Sequence, residues 1–187
     1  RNLSRGLGDV YKRQDIRISN LIGSFVMENE GIDVAIIHGK TDDWPDYYCE
    51  LLARDELVMA ASPELVNDET TPASLLAQYP AIVAANDRRK YDWQVWCENH
   101  QLSMPPFANN LSFSASIQAV QATIRKLGVF VTHRQFIRDD VSHGSLVEVG
   151  QPVLNPHQDF YFACQPEKLK NEHVLILRNW LRSEFST

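Results

Sequence analysis

Along the chain, short apolar runs alternate with stretches whose apolar residues recur every three or four positions. Residues 34–37 (Val-Ala-Ile-Ile), 57–61, 81–85 and 129–131 are runs of the kind that buried parallel strands show, because both faces of such a strand meet a helix layer. Ile16-Arg17-Ile18-Ser19 alternates and reads as a strand; Leu111-Ser112-Phe113 reads as extended, and residues 146–149 and 160–164 as further strands. Helical spacing occurs in residues 21–30 (Ile22, Phe25 and Val26, with Gly31 as the stop) and in 91–100, where Trp93, Trp96, Cys97 and His100 share a face. It is clearest in 116–127, with Ile117, Val120, Ile124 and Leu127 in register and Gly128 ending the run. Thr71-Pro72 opens a short helix closed by Tyr79-Pro80, and Asn171 caps a last helix with Val174, Leu177 and Leu181 on one face. Strands alternating with helices predict an α/β chain with a mainly parallel, doubly wound sheet.

Length and charge narrow the function. The 187 residues suffice for one domain or two small lobes with a sizeable core. Lys and Arg number 18 against 24 Asp and Glu, a net charge of -6. A chain that holds nucleic acid by itself carries a basic surplus to neutralise phosphates, so direct DNA or RNA binding is not expected. No apolar run reaches the roughly 20 residues that cross a bilayer, and the first residues are polar and basic without the apolar stretch of a secretory signal. Cys49, Cys97 and Cys164 are odd in number and far apart, which fits free thiols in a cytoplasmic protein.

The first 14 residues, RNLSRGLGDVYKRQ, follow neither period. Asp9 to Gln14 is what a transposon end used in sequencing-library preparation would encode. The segment reads as adapter-derived, the alternative being a native disordered arm, and the adapter reading implies a chain cut at its start. Setting aside Arg1, Arg5, Lys12 and Arg13 against Asp9 leaves 14 basic and 23 acidic residues, a net of -9.

No catalytic constellation stands out. The nucleophile elbow, the Walker A loop and the H-E-x-x-H pattern are missing. His38, His100, His133, His143, His157 and His173 form no pair at ligand spacing, so no metal and no cofactor are expected. Asp42-Asp43 and Asp139-Asp140 read as solvated turn residues, and Cys97 as a packed thiol beside Trp93 and Trp96. The chain is therefore not read as an enzyme. In an open α/β sheet, ligands sit beyond the carboxyl ends of the strands, which marks Asn20, His38, Asn86, Ser114, Ser116, Thr132 and His133. Ser114 and Ser116 begin the strongest helix, where free N–H groups and the helix dipole favour an anion. Either serine equally reads as a simple helix cap.

Several runs, taken in order, resemble the effector-binding domain of LysR-type transcriptional regulators, most of all the subgroup containing the glycine-cleavage activator. They are Gly31-Ile32-Asp33-Val34-Ala35-Ile36, Gly39, Asp43-Trp44-Pro45, Glu50-Leu51-Leu52, Asp55-Glu56-Leu57-Val58 and Ala61-Ser62-Pro63-Glu64-Leu65. Trp93-Gln94-Val95-Trp96, Phe113-Ser114-Ala115-Ser116, Leu127-Gly128-Val129, Gly144-Ser145-Leu146-Val147 and Trp180-Leu181 continue the series. The resemblance covers roughly residues 16–185. It implies two doubly wound lobes joined by two crossover strands, a type II periplasmic-binding-protein-like fold, with residues 15–59 plus 165–187 in one lobe and 60–164 in the other. The crossings fall near 57–62 and 160–164. It further implies a small effector, a carboxylate or an amino acid, in a cleft receiving Asn20, His38, Asn86, Ser114, Ser116, Thr132 and Tyr161. Homodimers or tetramers, and DNA contact only through a separate N-terminal winged helix-turn-helix, are also implied. The chain departs from the family at Ile37, where relatives usually carry a basic residue, and in a 40–43 loop one residue longer. The first strand and helix of the first lobe are missing. A solute-binding protein of the same architecture is the alternative reading.

Overall fold

The computed structural model describes residues 16–21 and 25–186. Among them, six strands form one sheet: β1 (Ala35–Gly39), β2 (Tyr48–Ala61), β3 (Ala81–Ala84), β4 (Leu111–Phe113), β5 (Val129–His133) and β6 (Val147–Cys164). Their order across the sheet is β1-β6-β2-β5-β3-β4. The helices are α1 (Met27–Glu30), α2 (Pro72–Gln78), α3 (Asp92–Asn99), α4 (Ser116–Ile124), α5 (Arg134–Ser142) and α6 (Glu172–Phe185).

Two long strands organise the molecule. β2 and β6 run antiparallel from Tyr48↔Cys164 to Ala61↔Val147, with three register irregularities between. At one end β1 lies on β6, antiparallel, with His38 opposite Phe160. At the other end β5 lies on β2, also antiparallel, with Leu57 opposite His133. Only β3 with β5, and β3 with β4, pair in parallel. The sheet is thus mixed, not mainly parallel. An apolar run carries no information about strand direction, which is why residues 34–37 gave the wrong orientation; nor is this one buried on both faces, since Ile36 is exposed.

Period-two alternation sends each strand's side chains to different cores. Leu57, Met59 and Ala61 meet Val129, Val131 and the α3 residues Trp93, Trp96 and Cys97. Val58 and Ala60 face the other way, onto Phe130, Ile82, Ala119, Val120 and Ile137. At the β1 end, Ala35, Ile37 and Ala163 pack with Met27 and Trp44, while Phe162 and Cys164 pack with Val174 and Leu181 of α6. Helices therefore cover both faces, as a doubly wound arrangement requires.

Several local readings need correction. Residues 16–19 are exposed and form no strand. Helix α1 covers only Met27–Glu30, and Gly31 ends it in the left-handed region as expected; Ile22 lies outside the described residues. Helix α4 stops at Ile124, and Lys126 takes the positive φ. Gly128 serves a different purpose: a Cβ there would sit 2.3 Å from the Pro80 carbonyl oxygen, so only glycine lets β5 start beside that backbone. Ile117 and Leu127, expected on the buried face, are 69% and 51% exposed. Asp139 and Asp140 lie in α5, a helix the pattern did not show because Ile137 is its one buried side chain.

Candidate functional site

Where β1, β2, β5 and β6 meet, the apolar packing gives way to a buried polar network. Its centre is Asp55 of β2, fully buried. β6 carries residues 155–158 between the partners of Arg54 and Glu56, an irregularity that brings Asn155 and Gln158 beside it. Oδ2 of Asp55 accepts from His133 Nδ1 at 2.6 Å, from Asn155 Nδ2 at 2.8 Å and from His38 Nε2 at 3.0 Å. Oδ1 is buried without a hydrogen-bond partner. On the far side of the His133 ring, Nε2 lies 3.0 Å from Asp92 Oδ2, at the start of α3. The Arg89 guanidinium closes the circuit. Its Nη1 is 2.8 Å from His133 Nε2 and 3.1 Å from Gln158 Oε1, and its Nη2 is 3.1 Å from His38 Nδ1. His38 stacks on Phe160 with ring centroids 4.2 Å apart, and Arg89 lies over Phe136 at 5.1 Å.

The network separates the two histidines electrically. Burial pushes the Asp55 carboxyl up, but the bonds from His133 and His38 outweigh it and hold the group well below the usual carboxylate range. Burial pulls His133 down, yet its bonds to Asp55 and Asp92 prevail and its pKa is raised. For His38 burial wins, helped by the charges of His133 and Arg89, and its pKa is lowered. A neutral His38 donates Nε2–H to Asp55 and accepts at Nδ1 from Arg89, which satisfies both ring nitrogens. Nε2 of His133 faces an acceptor, Asp92, and a donor, Arg89. Protonated, it donates to Asp92; neutral, it accepts from Arg89. With His133 protonated, two carboxylates balance two cations, which is how buried charges persist.

Beside the network lies a recess of about 180 Å³, lined by His38, Gly39, Phe25, Trp44, Arg88 and Gln158 among others. At the ~30 Å³ a water occupies in the liquid it would hold roughly six waters, below the range of drug-sized pockets. It suits a ligand of a few heavy atoms. A second, more open apolar groove of about 530 Å³ runs between β4 and α4, lined by Phe113, Ile117, Gln121, Ala122 and Leu127.

Of the eight residues picked out from the sequence, His38 and His133 join the network, and His38 also lines the recess. Thr132 is buried on the opposite face of β5 from His133, with its hydroxyl unpartnered. Asn86 sits in the turn after β3, where its carbonyl oxygen accepts from Arg89 N–H at 2.9 Å and so helps aim Arg89. Tyr161 packs against the cluster of Met27, Ala35, Ile37, Trp44 and Ala163. Asn20 and Ser114 are exposed. Ser116 is the first residue of α4, whose cap is Ala115 with no side-chain bond, so neither serine caps that helix. The pattern missed Asp55, Arg89, Asp92 and Asn155. Nothing in the pattern singled out Asp55, which stands beside Arg54 and Glu56 ahead of the apolar run 57–61.

Comparison with known proteins then places the chain. A profile described as the LysR substrate binding domain matches residues 11–186. The fold is similar to that of the AmpR effector-binding domain from Citrobacter freundii, with a TM-score of 0.76, 19% identity, and coverage of 97% of this chain and 88% of that one. It is also similar to the CrgA regulatory domain from Neisseria meningitidis, with a TM-score of 0.71, 18% identity, and coverage of 98% and 90%. The AphB regulatory domain from Vibrio vulnificus gives a TM-score of 0.63 at 17% identity, covering 97% and 93%. A search of curated proteins gave no match. Its mixed α/β sheet is the type II periplasmic-binding-protein-like fold, and the chain belongs to the LysR substrate-binding domain family.

Proposed function

We propose that this chain is the sensing domain of a LysR-type regulator that takes a small anion, a carboxylate or an amino acid, in the recess between β1 and the loop bearing Arg88 and Arg89. The carrying observation is the lining itself: the exposed cation of Arg88, the polar groups of His38 and Gln158, and the apolar walls of Phe25 and Trp44 converge on one small volume. The lining is more polar than apolar and also carries the Asp43 carboxylate, which leaves room for an amino group beside the carboxylate that Arg88 would meet. The lobes in this reading are residues 15–59 plus 165–187, and 60–164; separate core clusters at the two ends of β2 and β6 support two units, although Leu57 and Met59 pack with the second and Ala163 with the first. A ligand bound between them shifts the balance of lobe arrangements by its differential affinity, and a linked DNA-binding domain reads that balance. The outer edge of β4, which has no second neighbour among the described residues, and the exposed Ile117 beside it are the surface we assign to a second copy of the chain. Free Cys49, Cys97 and Cys164 support a cytoplasmic setting.

The glycine-cleavage-activator subgroup rests on the motif series alone. The adapter reading of residues 1–14 rests on the coding match, and resequencing the source gene tests it; the family match begins at residue 11.

The test is a thermal-shift screen of the purified chain against small carboxylates and amino acids, followed by calorimetry on the hits. A ligand at a hundredfold excess over its Kd adds about 2.7 kcal/mol of stability. Arg88→Ala is expected to weaken a hit at least tenfold and Ser116→Ala to leave it unchanged. The reverse pattern moves the site to the start of α4.

A further inference from the structure

We propose that His38, Asp55 and His133 form a binding site for one divalent transition-metal ion of the zinc class, with Arg89 holding the place of the ion until it binds. The proposal stands on the buried network and not on the effector recess.

Among the described residues, one ligand atom from each of these three side chains lies within 4.8 Å of the other two. Two imidazole nitrogens and one carboxylate oxygen are the donor set that zinc and its neighbours take when a coordination position stays open. The fit in size is close. With metal–ligand bonds of about 2.0–2.2 Å, tetrahedral ligands stand roughly 3.4 Å apart. The present contacts to Asp55 Oδ2 are 2.6 Å from His133 Nδ1 and 3.0 Å from His38 Nε2, so each must open by less than an ångström, while the two nitrogens lie within 4.8 Å of each other.

The surroundings are those of a ligating site. A metal-bound imidazole normally donates its other N–H to a carboxylate, and ligating carboxylates are themselves hydrogen-bonded. Asp92 Oδ2 is already placed 3.0 Å from the outer nitrogen of His133. Asn155 Nδ2 holds Asp55 at 2.8 Å. Asp55 keeps a second oxygen, buried and unpartnered, free to accept a new Lewis acid. The site is reachable, because His38 is 10% exposed and borders the recess.

Arg89 is the competing cation. In the metal-free network its guanidinium reaches the outer nitrogens of both rings. Once His38 ligates through Nε2, its Nδ1 carries the hydrogen and can no longer accept from Arg89. His133 ligates through Nδ1 by releasing that nitrogen's proton to solvent, and keeps Nε2–H on Asp92. Binding therefore takes from the guanidinium its acceptor on His38, and the ion joins in balancing the two carboxylates. An ion there ties β1 to β2 and β5, the strands on which the two ends of the molecule meet.

The experiment uses the chain without an affinity tag, stripped of metal, titrated with zinc by calorimetry and with cobalt by visible absorption. The expected result is one equivalent bound, ligand-field bands of a low-symmetry cobalt site, and a higher Tm with zinc. His38→Gln and His133→Gln abolish the bands, and Asp92→Asn weakens zinc binding about 10- to 100-fold. Arg89→Ala tightens it at least tenfold, which a network held together only by hydrogen bonds does not predict. His143→Gln, at an exposed position, changes nothing. No saturable zinc or cobalt binding by the unmodified chain overturns the proposal. So does one-equivalent binding that survives His38→Gln and His133→Gln, or Arg89→Ala binding no tighter than the parent.

Discussion

The same face of the same two strands changes character within a few residues. On β2, Leu57, Met59 and Ala61 face Trp93 and Trp96 with almost no exposed surface, while Asp55, just before them, carries a charge that is equally buried. On β5, Val129 and Val131 belong to that apolar wall, and His133, two positions on, belongs to the polar network. The apolar wall is held by area and shape, which tolerate exchange among residues of similar volume. The polar junction is held by matched donors and acceptors, and any one missing partner strands a buried charge. The strands thus provide a stiff base on one side and a charge-balanced, adjustable site on the other.

The largest test of this contrast sets Asp55→Ala against Trp96→Ala. Each is expected to cost about 3–5 kcal/mol, the first by leaving His133 and Arg89 with unbalanced charge and the second by opening a cavity. The difference lies in conservative exchange. Leu57→Met is expected to cost under about 1.5 kcal/mol. Asp55→Asn stays close to the alanine value: its amide oxygen can keep the bonds at Oδ2, but the charge that balances His133 and Arg89 is lost and the NH2 is buried where Oδ1 has no partner. Urea denaturation of the four variants measures all of this, and an Asp55→Asn as stable as Leu57→Met breaks the contrast.

An intermediate effect comes from pH, in the metal-free chain. His133 has a raised pKa in the folded state, so its contribution is fully present below the ordinary histidine value of 6.5 and is lost as pH rises through the folded-state value. His38 has a lowered pKa, so its contribution is present above 6.5 and is lost as pH falls. A tenfold difference in proton affinity between the folded and unfolded chain corresponds to about 1.4 kcal/mol of stability. His133→Gln should flatten the alkaline limb of the stability profile and His38→Gln the acidic limb. Thermal melts across pH decide this, and the opposite assignment would exchange the protonated and neutral rings.

The smallest effect contrasts two helix starts. Thr71 and Ser74 form a reciprocal capping box at the start of α2, with bonds of 3.0 and 3.1 Å. Thr71→Ala should cost about 1 kcal/mol. Ser116→Ala, where no side-chain cap exists, should stay within about 0.5 kcal/mol. Equal losses would show a capping role for Ser116 that the folded geometry lacks.

How far these features were legible in advance depended on how locally they are encoded. The cap at Asn171, the helix around Trp93 and Trp96, and strands β3 and β5 were readable, since each rests on a few consecutive residues with one buried face. Helix α5 was not, because one buried side chain leaves almost no apolar stripe to detect. His38 and His133 were picked out as strand-end residues, and their partnership was invisible because neither lies near the other or near Asp55 in the chain.

Local pattern and motif order by themselves determined the α/β class and the family, since helix spacing, buried runs and an ordered motif series need no knowledge of what packs on what. Strand direction and the network were decided only in three dimensions. Asp55 draws its donors from 17, 78 and 100 residues away, and a buried charge is permitted only where folding brings such partners together.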